Sequence, residues 1–137
     1  MSGSAILLAN LTATAFLTGL AWFLGIVHLP LMLRAGPVMF SEYVLAQRRR
    51  NTLIMAIPMT VELLATVSMW RLYSATALEI VILIVTFAFY MPAHIRLTRG
   101  FSETGIRRLI ALNWVRIISW TGRTAILLWT LAKLLHI

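Results

Sequence analysis

Long apolar stretches alternate along the chain with short segments rich in arginine. Ala5 to Leu33 is interrupted only by Asn10, a few Thr and Gly, and His28, and Thr52 to Trp70 contains a single charge, Glu62. Ile80 to Ile95 is nearly pure Val, Ile, Leu and aromatic, and Leu109 to Leu135 carries Arg116, Arg123 and Lys133. Crossing a hydrocarbon core of about 30 Å takes about 20 apolar residues as helix. The pattern therefore predicts four transmembrane helices over residues 5–33, 52–70, 80–95 and 109–135. Strands are excluded by the length of the runs and by the lack of alternation. The expected fold is an all-α, four-transmembrane-helix bundle forming a single integral membrane domain over residues 1–137.

Helical phase, at about 100° per residue, sorts each span into a polar stripe and an apolar remainder. On the first span Asn10, Thr14, Thr18, Ala21, Gly25 and His28 share one narrow face. Asn51, Met55, Pro58, Glu62, Thr66, Met69 and Tyr73 align on the second, and Leu83, Phe87, Tyr90 and His94 on the third. Asn113, Arg116, Trp120 and Arg123 share an arc on the fourth. One stripe per span implies that all four meet at an interior axis.

Composition agrees with a membrane solvent. The chain is 61% hydrophobic and only 12% charged, against about 25% charged in soluble domains. Its mean hydropathy is +0.90. No Cys is present, which excludes disulfides, zinc–thiolate sites and thiol redox chemistry. Met1-Ser2-Gly3-Ser4 lacks the basic n-region of a signal peptide and the run behind it is too long for an h-region, so we read a retained span.

Twelve Lys and Arg against four acidic residues give a net charge of +8, and most of that excess is topological. Arg34, Arg48, Arg49 and Arg50 lie between spans one and two, and Arg96, Arg99, Arg107 and Arg108 between spans three and four; the second connection holds only Arg71. By the positive-inside rule both arginine-rich connections face the cytoplasm and both termini face outward. The Arg48-Arg49-Arg50 run then reads as an anchor for anionic headgroups, not as a nucleic-acid site. The expected location is the bacterial inner membrane, as a multi-pass protein.

The two halves share an order of residues. Pro30 is followed by Arg34, Gly36, Phe40-Ser41-Glu42 and Arg48-Arg49; Pro92 is followed by Arg96, Gly100, Phe101-Ser102-Glu103 and Arg107-Arg108. This reads as two duplicated helical hairpins related about the membrane normal, the alternative being coincidence in so biased a composition. Each Phe-Ser-Glu segment is expected to be a short interfacial element, with Ser capping and Phe dipping into the headgroup boundary.

Ionisable groups within the bilayer are costly and face the interior. Counting from the loops at about 1.5 Å per residue puts His94 and Asn51 near the cytoplasmic interface, with His28, Asn113 and Arg116 somewhat deeper. Glu62 falls near the midplane and Arg123 beyond it, the whole outlining a pocket that tapers inward from the cytoplasm. Glu62, the one acid within the spans, should pair with Arg116 or Arg123, either as helix-pairing glue or in a proton or substrate role. The other Arg is left for an anionic or carbonyl-bearing ligand such as a quinone, a carboxylate, a phosphate headgroup or a haem propionate. His28 and His94, from different helices, are the only plausible metal or haem ligands, or they bridge helices by hydrogen bonds. Trp120 can stack on a guanidinium or on a flat ligand. P-loop, nucleophile-elbow and Cys-x-x-Cys signatures are absent from the sequence.

Thr18-Gly19-Leu20-Ala21-Trp22-Phe23 running to Val27-His28-Leu29-Pro30, Glu62, Pro92-Ala93-His94 with Leu97 and Gly100-Phe101, and Asn113-Trp114-Val115-Arg116 to Trp120 and Arg123 carry a resemblance. Over nearly its whole length the chain resembles a group of small bacterial four-helix membrane proteins. The resemblance implies topology and a residue set, His28, Glu62, His94, Asn113, Arg116, Trp120 and Arg123, but no reaction. Members of that group carry His after a Phe-x-x-Tyr stretch in the first cytoplasmic loop; here the stretch reads Phe40, Tyr43, Val44, Gln47, without it.

The leading expectation is a membrane-embedded redox or oxygenase-type protein with a cytoplasm-facing polar pocket for a flat lipophilic ligand, quinone-like or aromatic. His28, Glu62 and His94 are its candidate catalytic groups, and Asn51, Asn113, Arg116, Trp120 and Arg123 its candidate ligand contacts. The alternatives are a non-catalytic accessory or scaffold subunit of a membrane complex, and a bis-histidine haem carrier. Haem and quinone are the cofactors considered. Expected partners are the bilayer, a lipophilic small molecule, and other membrane subunits or a second copy of the chain.

Overall fold

The computed structural model describes residues 2–136, most of them helical and with no strand among them. Four long helices form the fold: α1 (Gly3–Met32), α2 (Phe40–Ser68), α3 (Tyr73–Leu97) and α4 (Glu103–Leu135). The first three are long and apolar enough to cross a membrane. The fourth is 33 residues long, and its hydropathy is lowered by Arg116 and Arg123, both buried inside the bundle. Large apolar side chains such as Phe16, Phe23, Ile57, Val67, Phe87 and Ile118 face outward, as lipid contact requires.

Three of these helices run well past their predicted spans, α3 from Tyr73 instead of Ile80. α2 begins at Phe40 and α4 at Glu103, so Arg48–Arg50 and Arg107–Arg108 are helical. Hydropathy marks the part of a helix that suits lipid, whereas Arg, Gln and Leu in the flanks are good helix formers and extend it into the polar zone. Ser102 caps α4 by accepting from the Gly105 N–H at 3.1 Å. Its counterpart Ser41 lies inside α2, which starts after Met39 in the left-handed region (φ 57°) without a side-chain cap. The two Phe-Ser-Glu segments therefore differ. Phe40 is buried within the bundle and meets the half-buried Phe101 edge to face at 5.2 Å.

Pro30 and Pro92 leave the same mark on α1 and α3. Proline lacks an N–H and its ring crowds the carbonyl four residues earlier, so a regular turn cannot be kept there. The chain answers with π-helical segments, Leu24–His28 and Val85–Tyr90, each ending two residues before its proline. The Leu29 N–H reaches back to the Leu24 carbonyl, and that of Met91 to Thr86. A π segment inserts extra residues per turn and so rephases the stripe beyond it. In α3 the buried line runs Tyr90, Thr86, Ile82, Glu79 and Ala75, while Phe87 of the expected stripe is exposed. In α1 the buried face passes from Gly25 to Leu29 and Met32, leaving His28 at its margin.

Packing follows a ring in which α1 lies against α2 and α4, and α3 against α4, while α2 and α3 barely touch. The α1–α4 seam is close. A Cβ on Gly25 would lie 2.6 Å from Ile117 Cδ1, Asn113 Nδ2 donates to the Ala21 carbonyl at 3.0 Å, and the Thr18 and Thr124 hydroxyls share a 2.8 Å hydrogen bond. Apolar layers fill both ends and the middle: Leu29, Phe40, Val44 and Leu97 at the arginine-rich end, Leu17, Ile82, Ile117 and Trp120 centrally, and Leu7, Ala75 and Leu127 at the other. The open side of the ring, between α2 and α3, is where the cavity lies.

Candidate functional site

Two polar centres sit inside the bundle. The first is built on Arg123 of α4, a fully buried guanidinium whose fork is met from the three other helices. Its Nε donates to Glu62 Oε1 at 3.0 Å, Nη1 to the Ala75 carbonyl at 2.6 Å, and Nη2 to Asn10 Oδ1 at 2.8 Å and to the Thr66 hydroxyl. Glu62 also accepts from Thr14 Oγ1 at 2.8 Å and from Trp120 Nε1 at 3.2 Å. The Glu62–Arg123 pair is thus the one the membrane environment demands, and it fastens α2 to α4.

Glu62 is not alone there. Glu79 of α3 is buried, its Oε2 lies 3.5 Å from the same Arg123 Nε, and that oxygen has no hydrogen-bond partner. The expectation of a single interior acid is corrected: the third helix begins at Tyr73, not Ile80, and carries Glu79 inward. The signal was available in the sequence, since Glu79 falls three to four residues from Ala75, Ile82 and Leu83 on one helical face.

The second centre is a cavity of about 340 Å³ between α2 and α3. Arg116 of α4 forms part of its wall. That guanidinium is 1% exposed and lies over the Tyr90 ring at 4.2 Å and the Trp120 ring at 4.9 Å. Its Nε and Nη1 are buried without a hydrogen-bond partner, and no carboxylate pairs with them among the described residues. His94 also lines the cavity. Its Nε2 is 3.0 Å from Gln47 Oε1, so Nε2 carries the hydrogen and Nδ1, which has no partner, presents a lone pair. Asn51 and Arg48 stand toward the arginine-rich end, and Met55, Met59, Leu63, Leu83 and Phe87 supply an apolar floor and sides. The cavity is therefore largely apolar and lies to one side of the bundle, unlike the expected central polar taper.

Of the residues singled out in the sequence, Asn51, His94 and Arg116 line this cavity, and Trp120 stacks on Arg116 from behind. Glu62 and Arg123 belong to the ion cluster, which Trp120 joins through its indole N–H. Asn113 holds α4 to α1. His28 lies outside the cavity, its ring stacked near Tyr43 at 6.1 Å. Among the described residues no group of three His, Asp or Glu side chains is arranged to hold a metal ion. Tyr90, Thr86 and Arg48 are wall residues that phase alone did not single out as ligand contacts.

No protein-family model, curated protein or solved structure matches the chain. What the site can do follows from its own chemistry. A fixed cation with free in-plane donors favours an oxygen that carries or develops negative charge, and the neighbouring imidazole can accept or return a proton.

Proposed function

We propose that this is a four-span protein of the bacterial inner membrane, akin to the small four-helix proteins it resembles, which binds a flat lipophilic molecule between α2 and α3 for redox or oxygenase-type chemistry. The arginine-rich end faces the cytoplasm, since Arg34, Arg48–Arg50, Arg96, Arg99, Arg107 and Arg108 all cluster there and only Arg71 lies in the opposite connection. α4 crosses as the fourth span, its two arginines kept from lipid by burial.

The observation that carries this reading is Arg116, a buried guanidinium with unpartnered donors on the wall of an apolar cavity. A carbonyl or phenolic oxygen of the ligand accepts from one of these unpartnered N–H groups, and the positive charge stabilises negative charge growing on that oxygen. His94 Nδ1 takes or gives the accompanying proton, held in its tautomer by Gln47. The ring lies against Met59 and Phe87. A volume of about 340 Å³ is at the small end of ligand pockets, which run from about 300 to 1,000 Å³, and suits one or two fused rings.

Titration of the detergent-solubilised protein with a short-chain benzoquinone, followed calorimetrically, tests the proposal. Wild-type protein should bind saturably, Arg116→Gln should weaken binding about tenfold or more, and His28→Gln should match wild type. Unsaturable partitioning that is equal in all three proteins would refute the reading.

A further inference from the structure

The cavity's charge has no internal answer. Four acidic residues exist in the whole chain, and each can be placed. Glu62 and Glu79 both lie against Arg123. Glu103 holds Arg107 at 2.8 Å on the exposed start of α4, and Glu42 is exposed in the first turn of α2. None lines the cavity, whose walls carry Arg116, Arg48 and His94. A neutral carbonyl would satisfy one N–H of Arg116 and leave its charge uncompensated in a low-dielectric wall, which is costly. The flanking Tyr90 and Trp120 rings temper that charge on its faces without neutralising it.

We infer that the natural occupant is an acidic amphiphile: an ionised head, carboxylate or phosphate, lies on the edge of Arg116, and an apolar body fills the space between Met55, Met59 and Leu63 of α2 and Leu83 and Phe87 of α3. The inference rests on the ligand-binding reading of the same cavity and narrows its substrate class. An anionic head offers several oxygens to the unpartnered N–H groups of Arg116, and Arg48 on the same cavity wall draws the same charge sign toward it.

Matched probes decide the point: an alkyl-tailed aromatic carboxylic acid, its methyl ester, and the corresponding aryl phosphate, measured by equilibrium binding to the full chain in uncharged maltoside micelles. The acid or the phosphate should bind at least tenfold more tightly than the ester, and the tighter of the two identifies the head. Arg116→Gln should abolish that preference, bringing the affinity of acid and phosphate down to that of the ester, and Arg116→Lys should keep part of it. Because the acid-to-ester ratio is read first in the wild type, a variant that fails to fold does not rescue the claim. An ester that binds saturably and as tightly as both anions would overturn the acidic class while leaving a ligand cavity in place. Absence of saturable binding by all three would bring down the cavity reading itself.

Discussion

Arg123 is the single cation against which two buried carboxylates are set, so its removal should cost the bundle more than removal of either acid. Arg123→Gln leaves Glu62 and Glu79 buried with no counter-charge and also strips donors from Asn10, Thr66 and the Ala75 carbonyl. Breaking a buried ion pair by deleting one partner costs about 3–5 kcal/mol, and a second stranded carboxylate places this variant at the upper end. Glu62→Gln is milder, because Glu79 remains to balance Arg123; the perturbed hydrogen bonds from Thr14, Trp120 and Arg123 put it at about 2–3 kcal/mol. Glu79→Gln should cost least, about 1 kcal/mol, since its only engagement is the 3.5 Å approach to Arg123. Reversible unfolding in mixed micelles with increasing SDS, read by circular dichroism, gives these differences directly. The triple variant that also converts both acids to Gln should be more stable than Arg123→Gln alone, a non-additivity expected of groups in one network. If Arg123→Gln costs no more than Glu79→Gln, or if converting both acids restores nothing, the charge argument is wrong.

Other consequences are open to simpler tests. Gly25→Ala drives a methyl to 2.6 Å from Ile117 Cδ1 at the α1–α4 seam and should destabilise the protein by about 1–3 kcal/mol, with Ile117→Val recovering much of the loss because it removes that atom. Reporter fusions at Gln47 and Glu103 should score as cytoplasmic and a fusion at the C-terminus as external; opposite scores would invert the cavity's orientation. His94→Gln should leave folded yield nearly unchanged and remove the proton-transfer partner of the ligand, so turnover or ligand protonation changes, whereas His28→Gln should alter neither. Equal effects of the two histidine variants would remove His94 from the site.

The helices were legible because apolar runs of transmembrane length admit few other structures, and the interior set Asn10, Thr14, Glu62, Asn113, Arg116, Trp120 and Arg123 followed from a period of about 3.6 residues. That period failed where the backbone left it. The π segments before Pro30 and Pro92 shift the register, so Thr86 and not Phe87 turns inward and His28 slips to the margin. Proline marks such a place in the sequence, but whether a helix kinks, breaks or widens there depends on its neighbours. Glu79 was lost for a different reason: a charge at the edge of a hydropathy window reads as the start of a loop, although an arginine on another helix can draw it into the interior. Which of two arginines Glu62 would hold, and which would be left over, was beyond any single-helix pattern, because it depends on how α2, α3 and α4 are rotated against one another.

The central claim is that Arg116 holds a lipophilic ligand in the cavity between α2 and α3. Native mass spectrometry of the protein released from micelles, after extraction from its own membrane, tests that claim most directly. Wild-type protein and His28→Gln should carry the same small-molecule adduct, removable with organic solvent, and Arg116→Gln of equal helicity should carry none. An adduct that persists at equal occupancy in Arg116→Gln would contradict the account, because the ligand would then be held elsewhere.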